Sequence, residues 1–226
     1  EVEKRAVIES AEHANARERY LIHEPMAGAL GIGLDVELPE GNMIIDIGGG
    51  TTDIAVIALS GIVTDQSIRV AGDDFTLDIV EYVKRQHNIL IGERTAEQVK
   101  IHVGSALQDL ENAPEDFAVH GRDLLTGIPK QVTVAYTEIA GCLDKSISKI
   151  EEAIMKALES TPPELASDIY RKGIYLTGGG ALLRGLDKRI AMKTKLPVRV
   201  ADDPLRAVVR GTGIALKNRH RYTFLM

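Results

Sequence analysis

Two apolar runs early in the chain have the pattern of adjacent β-strands. Met43 to Ile47 is apolar except for Asp46, and Ile54 to Leu59 is rich in the β-branched residues that favour strands. Gly61 then turns the chain into a third run, Ile62 to Val70. This pattern predicts an antiparallel meander of three strands.

Helical periodicity is clearest in the second half of the chain. From Ile139 to Leu158, isoleucine and leucine recur every three or four residues, which is the spacing of one apolar face on an amphipathic helix. At the other end, charged and apolar positions from Val2 to Tyr20 predict a second helix that leads into a short strand, Tyr20 to His23. Pro25 then suits the first turn of a further helix.

Capping signals predict two more helices. Asp73 or Asp74 suits the cap of a helix that runs to about Gln86, and Thr95-Ala-Glu-Gln98 forms a capping box for a helix toward Leu110. The remaining predicted elements are strands at Phe117 to His120, Gln131 to Tyr136, Ile174 to Leu176 and Val198 to Val200, and helices from Thr161 to Gly173, Leu186 to Lys195 and Asp203 through Leu216.

Composition narrows the possible classes of function. The chain has 226 residues, of which 44% are hydrophobic, and a net charge of −6 with scattered basic residues, so we expect no nucleic-acid interface. Cys142 is the single cysteine, which predicts a packed thiol and no intrachain disulfide. No apolar run reaches the roughly 18 residues of a transmembrane segment. The chain starts in helical pattern at Glu1 without a methionine, so we expect a fragment of a longer protein.

Three consecutive glycines, Gly48 to Gly50, join the first two predicted strands, and we call this segment the first glycine turn. Glycine lets backbone N–H groups face a ligand, and Thr51 and Thr52 add two hydroxyl donors, a combination that suits phosphate. Asp46 precedes the turn and could orient a hydrated Mg²⁺ ion. The alternative is a plain hairpin whose glycines only satisfy turn geometry. No Gly-Lys-Ser/Thr follows, so the segment is not a P-loop.

A second triple glycine follows the predicted strand Ile174 to Leu176. Gly178 to Gly180, the second glycine turn, repeats the order of strand and glycines and leads toward a helix. Two such turns could hold one nucleotide from two sides.

Five motifs carry a resemblance to a known superfamily. They are Asp46-Ile-Gly-Gly-Gly-Thr-Thr-Asp53, Ala71-Gly-Asp73, Ile91-Gly-Glu-Arg-Thr-Ala-Glu97, Thr161-Pro-Pro-Glu-Leu165 and Leu176-Thr-Gly-Gly-Gly-Ala-Leu-Leu183. The chain resembles the actin, heat-shock chaperone and sugar kinase ATPases, and within them the MreB family of bacterial actin homologues, from about Val2 to about Leu216. The resemblance implies an α/β actin-like ATPase (ribonuclease H-like) fold, with a mixed sheet flanked by helices and a small inserted α+β subdomain.

The same resemblance implies a division of the chain. Residues 1–40 would be the tail of a preceding subdomain and a connector, and residues 41–71 with 137–210 would form the core nucleotide-binding subdomain. Residues 72–136 would be the small inserted subdomain, and residues 211–226 the C-terminal helix and tail. Since one hairpin of the Asp46 type is present, the chain resembles the C-terminal half of the family.

The resemblance implies roles for individual residues, position by position. Glu24 and Asp46 would be catalytic, Glu24 by positioning the attacking water and Asp46 by binding Mg²⁺ through water. From the residues alone, Glu24 could simply complement a helix dipole, Asp73 could be a plain N-cap, and Glu97 with Lys100 an exposed ion pair. In the superfamily, the equivalent helix lays an acidic and a basic side chain against ribose and adenine, so the resemblance implies this role for Glu97 and Lys100. The cofactor contacts implied by resemblance are Gly48, Gly49, Gly50, Thr51, Gly72, Asp73, Glu93, Ala96, Glu97, Gln98, Val99, Lys100, Gly178, Gly179, Gly180 and Ala181.

The resemblance implies an ATP- and Mg²⁺-binding cytoskeletal protein. Its subunits would self-associate into filaments at the inner face of the cytoplasmic membrane, maintain rod shape and work with the cell-wall elongation machinery. ATP hydrolysis would accompany filament turnover in the full-length protein and be weak or absent in this portion. Asp53 stands where many relatives carry Glu. The alternatives are a heat-shock-type chaperone ATPase and a small-molecule kinase of the same superfamily.

Overall fold

The structure is a computed structural model that describes residues 2–225. The helices are α1 (Val2–His13), α2 (Glu24–Gly31), α3 (Gly72–His87), α4 (Glu93–Val103), α5 (Tyr136–Glu159), α6 (Pro163–Lys172), α7 (Leu186–Thr194) and α8 (Ala207–Lys217). The strands are β1 (Asn42–Ile47), β2 (Thr52–Ala58), β3 (Gly61–Ile68), β4 (Ile89–Leu90), β5 (Phe117–Asp123), β6 (Pro129–Val134), β7 (Ile174–Thr177) and β8 (Val198–Val200). Short 3₁₀ segments cover Gly179–Leu182 and Pro204–Arg206.

The main sheet is mixed, as the sequence predicts. Its five strands lie in the order β3-β2-β1-β7-β8. The meander β1 to β3 is antiparallel, whereas β7 pairs in parallel with β1 and β8. All of β1 is buried, which fits a central strand that is covered on both faces. The two glycine turns therefore leave the same edge of the sheet from neighbouring strands.

Each face of the main sheet packs on its own layer of helices. Alternate residues of β1 point to opposite faces, so Met43 and Ile45 join the large apolar cluster that includes α3 and α5, while Ile44 joins a smaller cluster with α2 and α8. The predicted helix from Ile139 to Leu158 is confirmed as α5, whose apolar face is buried. The core thus lies on both sides of the strands that carry the glycine turns.

Glycines fix the position of α2 against α8. A Cβ on Gly31 would lie 1.8 Å from the carbonyl oxygen of Ala207, and a Cβ on Gly211 would lie 1.7 Å from that of Ala27. Any other residue at either position would push the helices apart. This close contact holds Glu24, the first residue of α2, at a defined place.

A second, three-stranded sheet in the order β4-β5-β6 lies in the segment between α3 and α5. Ile89 of β4, Val119 of β5 and Val134 of β6 are buried in the same apolar cluster as Met43 of the main sheet. The small sheet therefore shares a continuous core with the main sheet. The subdomain boundaries drawn from the sequence stay a prediction.

The predictions near the N-terminus are wrong in two respects. α1 ends at His13, because Asn15 adopts a left-handed conformation with φ 58° that terminates the helix. Residues 20–23 form no strand, since no strand of either sheet pairs with them. Residues that suit a strand form one only where a neighbouring strand accepts their hydrogen bonds.

The capping box predicted at Thr95 is also wrong. α4 starts at Glu93, and the Thr95 N–H already donates to the carbonyl of Gly92, which is the N-cap. The helix ends at Val103 instead of continuing toward Leu110. Gly104 leaves it in an extended conformation, and Ser105 pairs with Arg184.

The end of α6 at Gly173 is confirmed, with φ 85° at that glycine. None of the helices within residues 2–225 combines the length and apolar character needed to cross a membrane.

Candidate functional site

A cavity of about 760 Å³ opens where the two glycine turns meet the start of α3 and one face of α4. The predicted site residues that line it are Glu24, Asp46, Gly48, Gly49, Gly72, Asp73, Glu97, Lys100, Gly178, Gly179 and Gly180. The topology explains their convergence: β1 and β7 end side by side, and α3 begins where the chain returns from β3.

The first glycine turn is clipped to the start of α3 by backbone hydrogen bonds. The N–H of Gly72 donates to the carbonyl of Gly48 at 3.1 Å, and that of Asp73 donates to the carbonyl of Gly49 at 2.8 Å. A Cβ on Gly72 would lie 3.1 Å from the Gly48 oxygen, which is a tight contact that glycine avoids. Asp74, the third residue of α3, accepts from the N–H of Ala71 and so stabilises the helix start.

The second glycine turn rests directly on the end of β1. Gly178 has φ 81°, and a Cβ there would lie 2.3 Å from the carbonyl oxygen of Ile47. A Cβ on Gly180 would lie 2.3 Å from Cγ2 of the same isoleucine, which is fully buried. These two glycines are therefore required by packing, whatever the cavity binds.

Asp46 is a buried carboxylate at the base of the cavity. Its Oδ1 accepts a hydrogen bond from Oγ1 of Thr177 at 2.7 Å, and Asp53 lies opposite it in the β1–β2 register. Burial raises the pKa of Asp46, the Thr177 hydrogen bond acts to lower it, and the charge of Asp53 raises it further. The pKa of Glu24 is also raised, by burial and then by Asp46 and Asp53.

Three mutually repelling carboxylates favour a cation beside them. Carboxylate oxygens are the protein ligands that Mg²⁺ prefers, and it usually keeps several waters. Asp46 and Glu24 both face the cavity, so the residues fit a hydrated Mg²⁺ ion bound next to a phosphate. These carboxylates do not converge into a site of direct ligands, because among residues 2–225 no group of three or more His, Cys, Asp or Glu could hold a metal ion. The fit is therefore to an ion that keeps its water shell.

Glu97 and Lys100 form an ion pair on α4, with 2.7 Å between Oε2 and Nζ. Burial acts to raise the pKa of Glu97, but hydrogen bonds from Lys100 and Thr76, together with the Lys100 charge, outweigh it and lower the pKa. Glu97 therefore carries a stable negative charge at the cavity wall. Glu97 and Lys100 thus form the ion pair predicted from their spacing, and both also line the cavity.

Several predicted site residues do not line this cavity. Glu93 lines a smaller neighbouring cavity of about 430 Å³, which also contacts Asp73 and Glu97. Gly50 and Gln98 are exposed, Thr51 is half-buried, and Ala96, Val99 and Ala181 are buried. A role for the buried three would have to use their backbone, because their side chains belong to the core.

The structure adds residues that the sequence reasoning missed. Thr177 and Thr76 contact the acidic residues of the site, and Arg184 lines the cavity beside an apolar wall. Thr177 directly precedes the second glycine turn, which is a usable signal; Thr76 lies within a helix and gives none. The apolar wall consists of Ile101, Leu182, Leu183, Leu205 and Val208.

Comparison with known proteins gives consistent matches. A family model described as MreB/Mbl protein matches residues 1–223. "Cell shape-determining protein Mbl" of Bacillus subtilis (strain 168) is 46% identical over 217 residues, which cover 96% of this chain and 65% of the relative. "Cell shape-determining protein MreB" of Escherichia coli (strain K12) is 50% identical over 217 residues, which cover 96% of this chain and 62% of the relative.

Solved structures agree with the sequence matches. Crystal structures of MreB5 of Spiroplasma citri bound to AMPPNP and to ADP match with a TM-score of 0.93 at 42% identity. The AMPPNP-bound structure covers 98% of this chain, and this chain covers 66% of it. The chain thus spans 62% to 66% of the length of these relatives.

Proposed function

Since the chain belongs to the MreB/Mbl family and has its actin-like ATPase fold, we propose that it binds an adenine nucleotide with Mg²⁺ in the cavity between its two glycine turns. The observation that carries the proposal is the meeting of both turns around buried Asp46 in one cavity of about 760 Å³. A homologue with 42% identity is bound to AMPPNP in its crystal structure, which supports the same class of ligand here.

The first glycine turn supplies free donors for phosphate. Within residues 2–225, the N–H groups of Gly49 and Gly50 make no backbone hydrogen bond, whereas that of Gly48 closes the turn onto the carbonyl of Thr51 at 2.9 Å. Consecutive free N–H groups form an anion-binding concavity. These two amides would therefore contact the phosphates.

Asp46 and Glu24 would act on the metal and on water. When bound, Mg²⁺ would neutralise the charge of the phosphates. Asp46 would hold the hydrated ion through its waters, with its carboxylate oriented by Thr177. Glu24, whose pKa is raised by burial and by the neighbouring carboxylates, would orient a water molecule toward the terminal phosphate.

The biological role proposed for the whole protein is that of a cytoskeletal ATPase that determines cell shape. The names of the curated relatives support the shape role. Subunits would stack head to tail, because heterologous contacts that do not close into a ring generate open filaments. The filaments would lie at the inner face of the cytoplasmic membrane and work with the cell-wall elongation machinery, with ATP hydrolysis accompanying their turnover.

The experiment that tests nucleotide binding is a calorimetric titration of this chain with ADP and AMPPNP, with Mg²⁺ and with EDTA. We expect saturable binding that weakens strongly in EDTA. Binding of equal strength in EDTA would contradict the metal role, and the lack of any binding would contradict a nucleotide site in this chain. Sedimentation of the protein at the length of its relatives, with AMPPNP or without nucleotide, tests filament formation.

A further inference from the structure

Thr76, on the second turn of α3, contacts both charged residues of α4 that line the cavity. Its Oγ1 lies 2.8 Å from Oε2 of Glu97 and 3.0 Å from Nζ of Lys100. Thr76 is buried, with 6% of its surface exposed. The hydroxyl therefore sits between two opposite charges, away from solvent.

Hydrogen-bond chemistry favours one arrangement of Thr76 with this pair. A lysine ammonium has three protons and no acceptor, so Thr76 accepts from Lys100. Its single proton then goes to Glu97, because the bond to a carboxylate is shorter and stronger than the 3.1 Å contact to the carbonyl of Gly72. Lys100 also donates to the Gly72 carbonyl at 2.8 Å.

This arrangement fixes one oxygen of Glu97 and leaves the other free. Oε2 receives hydrogen bonds from Thr76 and Lys100, whereas Oε1 has no partner within residues 2–225. Glu97 lines both the main cavity and the smaller one beside it. A carboxylate with one oxygen held in place is a preorganised acceptor for an O–H or N–H donor of a bound ligand.

We propose that Thr76 is a positioning residue that holds the carboxylate of Glu97 in place for the ribose contact that the family resemblance implies for this glutamate. The inference rests on the proposed nucleotide binding and deepens it, because it names the group that orients the sugar contact. The same cluster holds the carbonyl of Gly72, whose N–H clips the first glycine turn. Thr76 thereby joins the sugar side of the site to the phosphate side.

The test compares Thr76→Val, which removes the hydroxyl at nearly constant volume, with Thr76→Ser, which keeps it. Each variant of this chain is titrated in Mg²⁺ with ADP, 2′-deoxy-ADP and 3′-deoxy-ADP. Thr133→Val, on exposed β6, is the matched control for the chemical change. Thermal melting without nucleotide establishes that all the variants fold.

We expect the wild type to prefer ADP over at least one deoxy analogue. In Thr76→Val, ADP binding should weaken about three- to tenfold, the effect of losing one typical hydrogen bond that supports the contact. The ratio of the Kd for the deoxy analogue to the Kd for ADP should fall toward one. Thr76→Ser and Thr133→Val should behave like the wild type. A general loss of stability would weaken the binding of ADP and of its deoxy analogues equally. The loss of a positioned Glu97 instead changes the ratio of their affinities.

Three outcomes would overturn the inference alone while ADP still binds. They are an unchanged preference in Thr76→Val, equal impairment of Thr76→Ser and Thr76→Val, and the absence of any preference in the wild type. If the wild-type chain does not bind ADP at all, the proposed function fails, and the inference fails with it.

Discussion

Thr177 donates a hydrogen bond to Asp46 across the parallel strands β7 and β1, with 2.7 Å between Oγ1 and Oδ1. The two residues are paired in the strand register, and both are buried. The hydroxyl favours the ionised carboxylate, whereas burial and the charge of Asp53 oppose it. The carboxylate of Asp46 is therefore oriented by Thr177, and a bound cation would stabilise its ionised form.

Asp46→Asn should weaken the binding of Mg²⁺-nucleotide. The amide keeps the shape of the carboxylate but loses the charge that attracts the hydrated ion, so we expect a loss of about tenfold or more, as for a contact with a charged group. Calorimetric titration with Mg²⁺-ADP measures it. Asp65→Asn, on exposed β3, is the matched control and should bind normally. Unchanged affinity in Asp46→Asn would remove Asp46 from the metal site.

Without ligand, Asp46→Asn should be more stable than the wild type at neutral pH. The pKa of Asp46 is raised in the folded state. Its contribution to the free energy of unfolding is therefore complete below the ordinary aspartate pKa of about 4. That contribution is lost as the pH rises through the pKa of the folded state. Asn has no such dependence. We expect thermal melts at pH 7.5 to favour the variant by about 2–4 °C and the difference to shrink toward acid pH. A variant that is less stable at every pH would contradict this sign.

In Thr177→Val, the loss of nucleotide affinity at acid pH should begin at a higher pH than in the wild type. Removing the hydrogen bond that lowers the pKa of Asp46 raises that pKa further, so the carboxylate is protonated at a higher pH. We expect a shift of up to about one pH unit, equivalent to ~1.4 kcal/mol, in the Kd for Mg²⁺-ADP measured from pH 5 to 8. Thr177→Ser retains the hydroxyl and should follow the wild type. The same pH dependence of the Kd in both variants would show that this hydrogen bond does not set the pKa of Asp46.

Glu24→Gln should slow ATP hydrolysis while leaving nucleotide binding largely intact. Glu24 faces the cavity, but its proposed task is to orient water, and the loss of such a group typically costs about 100-fold or more in rate. The measurement is phosphate release alongside ATP affinity, in the protein at the length of its relatives. Glu164→Gln is the matched control, since Glu164 lies in the first turn of α6 and outside the cavity. Normal turnover in Glu24→Gln would exclude Glu24 from hydrolysis.

Gly180→Ala should destabilise the fold, whereas Gly50→Ala should not. The new Cβ at Gly180 would lie 2.3 Å from the buried side chain of Ile47. A Cβ at Gly50 would have no atom within 4 Å among residues 2–225, apart from its own chain neighbours. We expect a loss of about 1–3 kcal/mol in the free energy of unfolding for the first and a change within ~0.5 kcal/mol for the second. Urea denaturation without nucleotide measures both. Equal stabilities would show that the second glycine turn can move away from β1.

Local patterns in the sequence suffice to predict the meander, the long helix α5 and the stop at Gly173. In each case the signal and the structure lie within a few residues of one another: β-branched runs, apolar positions every three or four residues, and a glycine that tolerates a positive φ. The family motifs likewise point to the two glycine turns and to Asp46 and Glu24, which share one cavity.

Other features depend on partners that are distant in the chain. Thr177 meets Asp46 across 131 positions, and Thr76 meets Glu97 across 21 positions, because strand register and helix packing bring them together. The strand wrongly predicted at Tyr20 to His23 also shows the effect of distant partners. Its residue types suit a strand, but within residues 2–225 no strand pairs with it to accept its hydrogen bonds. The local sequence determines which backbone conformations have low free energy, and packing in the folded core selects among them.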